Sequence, residues 1–151
     1  MPLNSSRLKP WISTSSPLLK PCDVLVSVAV VPERVTEAPV NCANAALLVN
    51  ITPEDLPGDD PLEGVRLQRT CEQAAFRAGG GEYHAPAQLV GDFLARRPST
   101  RLGHVIPSYT PGVTPTDLRQ CLPEFVAKAI REALPAFEKQ INGYAMDDAV
   151  L

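Results

Sequence analysis

The chain has 151 residues, with 14 basic against 17 acidic side chains and a net charge of −3. That length suits one ordinary domain or a piece of a larger protein, and the charge balance lacks the basic surplus of a nucleic-acid-binding surface. The longest apolar run, Val24 to Val31, is far below the ~20 residues that cross a bilayer as a helix, so no membrane partner is expected.

Sixteen prolines are about twice the ordinary share of roughly 5%, which predicts short elements rather than long helices. Residues 1–22 carry Arg7, Lys9 and Lys20 with several serines and no acid. That composition faintly suggests an organelle transit peptide, but its prolines would break the helix such peptides use. A cytoplasmic location is therefore expected, with an organelle as the alternative. Cys22, Cys42, Cys71 and Cys121 are widely and irregularly spaced, which favours reduced thiols over a disulfide framework. No metal site is expected from them with only His84 and His104 to help.

In chain order, "DVLVSVAVV" is β-branched and apolar and reads as a strand. "ANAALLVNI", Ala43 to Ile51, reads as a second strand. "ITPEDL" opens a helical turn: Thr52 as N-cap accepting a free amide proton, Pro53 at the first position, Asp55 three residues after the cap, and Ile51 with Leu56 as a hydrophobic staple. "VTPTDL", Val113 to Leu118, repeats the device with Thr114, Pro115 and Asp117. Asp59 or Asp60 caps the next helix, Pro61 starts it, and it runs over 62–78 with Leu67, Cys71, Ala74, Ala75 and Ala78 on one face.

Gly79 is predicted to stop that helix in a left-handed conformation. Pro86 is then expected to open a short helix through Ala95, with Leu89, Val90, Phe93 and Leu94 as its apolar stripe. Residues 98–112 read as a loop with a short strand near "HVIPSY", and a one-turn helix is expected over 115–122. In "EFVAKAIREALPAFEKQI", Val126, Ile130, Ala133, Leu134, Phe137 and Ile141 share one helical face. Pro135 should kink or split that helix. "YAMDDAVL" reads as a closing strand, exposed at an edge.

Several groups invite a chemical reading, each beside a plainer one. "GGGEYH" is either a loop whose bare backbone approaches a ligand or a helix stop with a flexible turn. His84 is a candidate acid or base without a carboxylate partner that the sequence can place. Cys121 paired with His104 or His84 would be a nucleophile, but Leu118 and Leu122 around it favour burial. Arg96, Arg97, Ser99 and Thr100 suit an anion, yet arginines also favour a helix C-terminus. Asp147 and Asp148 are adjacent, so strand geometry would point them to opposite faces, which weakens a metal reading.

"NAALLVNITPEDL", "GGGEYHAPAQLVGDFLARRPST", "PSYTPGVTPTDLRQCLPEFVAKAIREALPAF" and "GYAMDDAVL" together resemble the later part of a bacterial family of large FAD-dependent oxidoreductases, also called NAD(FAD)-utilising dehydrogenases. The resemblance covers Asn44 to Leu151. It implies an α+β class, with short proline-punctuated helices and a few strands forming part of a larger two-domain flavoprotein. Residues 44–151 would be an incomplete helical C-terminal-like domain, and residues 1–43 a poorly defined segment outside the family pattern that adds little to the fold. FAD is implied for family-length members. No G-x-G-x-x-G follows a strand here, and that motif is what seats a dinucleotide pyrophosphate.

A truncated or frame-shifted fragment is therefore expected, inactive alone, binding no FAD tightly, and partnered by a FAD-binding domain in cis or as a separate chain. The resemblance turns "GGGEYH" toward Gly80, Gly81, Tyr83 and His84 as a flavin- or substrate-facing loop, with Gly80 to Gln88 at the surface where that partner docks. The alternative function is a free-standing helical interaction module without catalysis.

Overall fold

The computed structural model describes residues 29–30, 45–105, 107 and 109–151. The basic N-terminal segment, Cys22, Cys42 and most of the Val24–Val31 run lie outside these. The described elements are β1 (Ala29–Val30), β2 (Ala45–Ala46), α1 (Glu63–Ala78), β3 (Ala85–Ala87), α2 (Val90–Leu94), β4 (Val113–Pro115) and α3 (Glu124–Glu138), with 3-10 turns at Pro53–Asp55 and Leu118–Gln120. The class is α+β, as expected.

β1 pairs antiparallel with β2, Ala29 opposite Ala46, so part of the N-terminal segment joins the fold. Beyond β2 the chain stays extended without strand pairing and buries alternate residues Leu47, Val49 and Ile51, the period of two that an extended segment dictates. At the following turn the Thr52 amide donates to Asp55 Oδ2 at 2.9 Å, and Ile51 and Leu56 both pack on the main core.

α3 supplies that core's centre. Val126, Ala127, Ile130, Ala133, Leu134 and Phe137 are buried, and they meet Leu47, Val49, Ile51, Val90, Phe93 and Leu118. α3 runs unbroken through Pro135, contrary to the expected split. Pro135 is exposed, so the carbonyl it leaves without a donor can be solvated. Ile141, expected on the buried stripe, lies past the helix end and is 45% exposed. In its place Glu138 closes the turn, accepting from the Gly143 amide at 2.9 Å and the Ala145 amide at 2.6 Å.

Two expected helix starts are strands instead. Pro86 lies in β3 and Thr114 in β4, and these strands pair in parallel with Pro86 opposite Thr114. Pro86 has no amide to give, but the bonds on either side come from Ala85, which donates to Gly112 O, and Thr116, which donates to Ala87 O. Proline is thus tolerated where its nitrogen faces away from the partner strand. The cap in the second motif passes from Thr114 to Asp117, whose Oδ1 accepts from the Arg119 amide at 3.0 Å. Among the described residues there is no strand near Val105.

The last residues are not an open edge. Val150 bridges antiparallel to Leu89, and the Gln88 and Leu151 backbones exchange both hydrogen bonds, at 3.0 and 2.8 Å. The Gln88 side chain, 1% exposed, donates from Nε2 to Arg97 O at 2.7 Å and accepts the Leu118 amide at Oε1 at 2.9 Å. One side chain therefore joins β3, the turn after α2 and the Leu118–Gln120 turn. Gln88→Leu leaves a part-buried carbonyl and a buried amide without these partners, at roughly 1–3 kcal/mol each. A loss of about 2–5 kcal/mol in urea-unfolding free energy is expected, far above that for an exposed Gln68→Leu.

Candidate functional site

The predicted stop after α1 is displaced by one residue. Gly79 is right-handed, at φ −75°, and the left-handed residue is Gly80, at φ 95°. The Gly80 amide donates to Arg77 O at 3.0 Å and the Gly81 amide to Phe76 O at 2.9 Å, which is the Schellman pair with Gly80 at the position after the cap. Gly79 is glycine for a different reason. A Cβ there would collide with the His84 carbonyl oxygen and stand 3.0 Å from its carbon. The Gly79 carbonyl in turn accepts from Thr114 Oγ1 at 2.8 Å. The end of α1 is thus pinned against the start of β3 and against β4.

Between these anchors the chain must turn within Gly80 to His84. Gly81 is at φ 80° and Tyr83 at φ 62°, the latter a non-glycine residue in the left-handed region at a cost of roughly 1–2 kcal/mol. The Tyr83 ring is 75% exposed. It meets Phe76 edge-on, with centroids 5.1 Å apart and planes at 65°, and its carbonyl lies 3.5 Å from the Tyr109 hydroxyl. His84 is half-buried, and its ring lies 3.6 Å from where a Cβ on Gly112 would stand. Neither Tyr83 nor His84 sits in the core. The expected surface loop is shorter than 80–88, since Ala85 to Ala87 form a strand and Gln88 is buried.

Of the four residues singled out, Gly80 and Gly81 bring open backbone, Tyr83 brings an exposed ring and His84 flanks it. The two glycine amides are committed to the helix end, so they do not form a cradle for the pyrophosphate of FAD. The residues present do not fit that end of the cofactor, and no reaction step is assigned to them.

The other candidate groups resolve into structure. Cys121 is buried, its Sγ lies 3.4 Å from Leu118 O, and burial pushes its thiol up to about 11. That is opposite to what a nucleophile needs. His104 is instead 3.8 Å from Asp148 and almost fully exposed. Arg97 and Ser99 converge on Asp92, Arg97 Nε on Oδ1 at 2.6 Å and Ser99 Oγ on Oδ2 at 2.7 Å, while Ser99 also accepts the Leu89 amide at 2.9 Å. Arg96, at φ 58°, repeats the Schellman geometry after α2, and its carbonyl takes Arg119 Nη2 at 3.0 Å. Asp147 packs on Gly91, where a Cβ would meet its Oδ1 at 2.9 Å. Among the described residues no cluster of three or more His, Cys, Asp or Glu side chains could hold a metal ion. No helix there is long and apolar enough to cross a membrane. Phe76 and Tyr109, which complete the aromatic surface around Tyr83, were not singled out from the sequence; their distance along the chain hides the cluster.

A family model described as "FAD-dependent protein, C-terminal domain-like" matches residues 36–151, starting ahead of the Asn44 at which the resemblance begins. A protein of Clostridium beijerinckii, itself described as uncharacterized, is 52% identical over 109 residues, which is 72% of this chain and 20% of that protein. The chain therefore spans about a fifth of the length of this relative.

Gly79→Ala is expected to lower unfolding free energy by about 3 kcal/mol, because backbone must move to admit the methyl. Gly80→Ala has open space and meets only conformational strain, about 1 kcal/mol. Urea titration of both variants checks the order. The Asp92 carboxyl is held below its ordinary range, first by the Ser99 hydroxyl and then by Arg97, against the opposing pull of partial burial. A depressed folded value gives stability that is full above the unfolded pKa of about 3.9 and lost as pH falls through the folded value. Asp92→Asn should therefore be least stable relative to the parent at neutral pH, with the gap closing below pH about 4 in acid-unfolding curves.

Proposed function

Because the chain belongs to the FAD-dependent protein, C-terminal domain-like family, we propose that it is the helical, substrate-side domain of a FAD-dependent oxidoreductase, working in the cytoplasm. Its partner is a dinucleotide-binding part, supplied by the rest of a family-length polypeptide or as a separate chain. The observation that carries this reading is Tyr83, an aromatic ring 75% exposed on a residue at φ 62°. Backbone strain of this kind persists where the surroundings over-determine it, and it gathers at functional sites. Here the turn is fixed at both ends, by the Gly79–His84 contact and by the helix-end bonds of Gly80 and Gly81. The exposed ring is thereby held in place for something outside the described residues.

In this reading Tyr83 presents its ring to the flavin or the substrate, Gly80 and Gly81 let the partner approach bare backbone, and His84 flanks the contact. FAD supplies the hydride or electron chemistry, and the pyrophosphate is held by the partner. The isolated chain should accordingly purify colourless from a flavin-rich host. A chimera tests the role of Tyr83: the C. beijerinckii relative carrying this chain in place of its matching residues. It should hold FAD, and Tyr83→Phe should leave its visible flavin spectrum unchanged. Tyr83→Ala should shift the flavin bands or raise the KM for the electron donor at least threefold. A yellow isolated chain, or a chimera indifferent to Tyr83→Ala, would overturn the assignment.

A further inference from the structure

α1 also exposes large apolar side chains on its outer side. Its inner side packs Leu67, Ala74, Ala75 and Ala78 on the core, yet no residue of the helix is fully buried. At 100° per residue, Leu62, Val65, Arg69 and Phe76 fall together on the opposite side. Leu62 is 57% exposed, Val65 43% and Phe76 41%. The stripe extends about 21 Å along the axis and continues through the Phe76–Tyr83 ring contact to Tyr109, 53% exposed. A helix lying on the surface of a domain is polar on its outer side, and the Phe76–Tyr83 ring pair with Tyr109 beside it gathers exposed apolar area at one end of this one, which marks an interaction surface.

We propose that this outer face of α1, with Tyr83 and Tyr109, is the seat of the remaining part of the family-length protein, an inference that rests on the two-part reading above. The C. beijerinckii relative has about four-fifths of its length outside the match, ample polypeptide to cover a stripe of this size. A second copy of this chain fits poorly. Arg69 stands at the midpoint between Leu62 and Phe76, so a two-fold pairing of the stripe would set Arg69 against Arg69. Arg69 has no ion-pair partner among the described residues. The covering surface is therefore apolar with a carboxylate or carbonyl acceptor opposite Arg69.

The chimera described above carries the test, with a benzoylphenylalanine photo-cross-linker placed at Phe76 or, as a control on α3, at Lys128. Cross-links from position 76 to peptides of the flanking relative sequence, absent from position 128, are expected. Cross-links confined to this chain, cross-links to a second copy, or none at all overturn the proposal. The isolated chain gives an independent check: Leu62→Glu with Phe76→Glu should lower its melting temperature by only a few degrees, from the lost Phe76–Tyr83 ring contact, and raise its solubility at least twofold. A variant that unfolds shows that the stripe is covered within this chain, and the proposal falls. Flavin content separates the two readings. A chimera that cross-links but holds no flavin sinks the oxidoreductase reading alone, and one that holds flavin without the cross-link sinks the interface alone.

Discussion

The primary amide of Gln88 is the interaction on which the fold turns. It is buried, and its two polar atoms satisfy a carbonyl at Arg97 and an amide at Leu118. The backbone of the same residue pairs with Leu151. A carboxylate, a hydrophobe or a shorter amide at this position fails one of these partners. Around this point the chain has no large sheet to organise it, only paired stretches of two or three residues. Side-chain bonds to backbone do the work that a sheet ladder does elsewhere. Ser99 with the Leu89 amide, Glu138 with the Gly143 and Ala145 amides, and Asp117 with the Arg119 amide are of the same type.

What the sequence revealed was the part governed by local period. The α3 stripe is a strong helical repeat, and five of its six expected residues are buried, with Ala127 added and Ile141 falling beyond the last turn. The Thr52–Asp55 box also survived, because its partners are three residues apart. What stayed hidden depended on residues far along the chain. Pro86 and Thr114 both look like helix openings, and each is drawn into a strand by the other, across an interval that no local pattern spans. The same holds for the closing residues, whose partner is the segment after β3.

The glycine run after α1 shows how a correct local rule can be misplaced. One glycine was expected to end α1 in a left-handed turn, and one does, but it is Gly80. Gly79 is required by the close approach of the His84 carbonyl, a long-loop constraint with no trace in the α1 pattern. Of the site, the sequence located the turn and its exposed Tyr83. It did not supply Phe76 and Tyr109, which stand seven residues before Tyr83 and 26 after it and come together only in the folded chain.

The reciprocal bonds between Gln88 and Leu151 also bear on how the protein is made. Residues synthesised near the middle of the chain have to wait for residues 147–151 before their edge is paired. During translation the β3–α2 segment emerges with its outward amides unpaired, while α1 and the Thr52 turn can already form from local contacts. Such a nascent chain exposes an open strand edge and the apolar side of α2 until residues 147–151 have emerged. A translational pause ahead of those residues would lengthen that exposure.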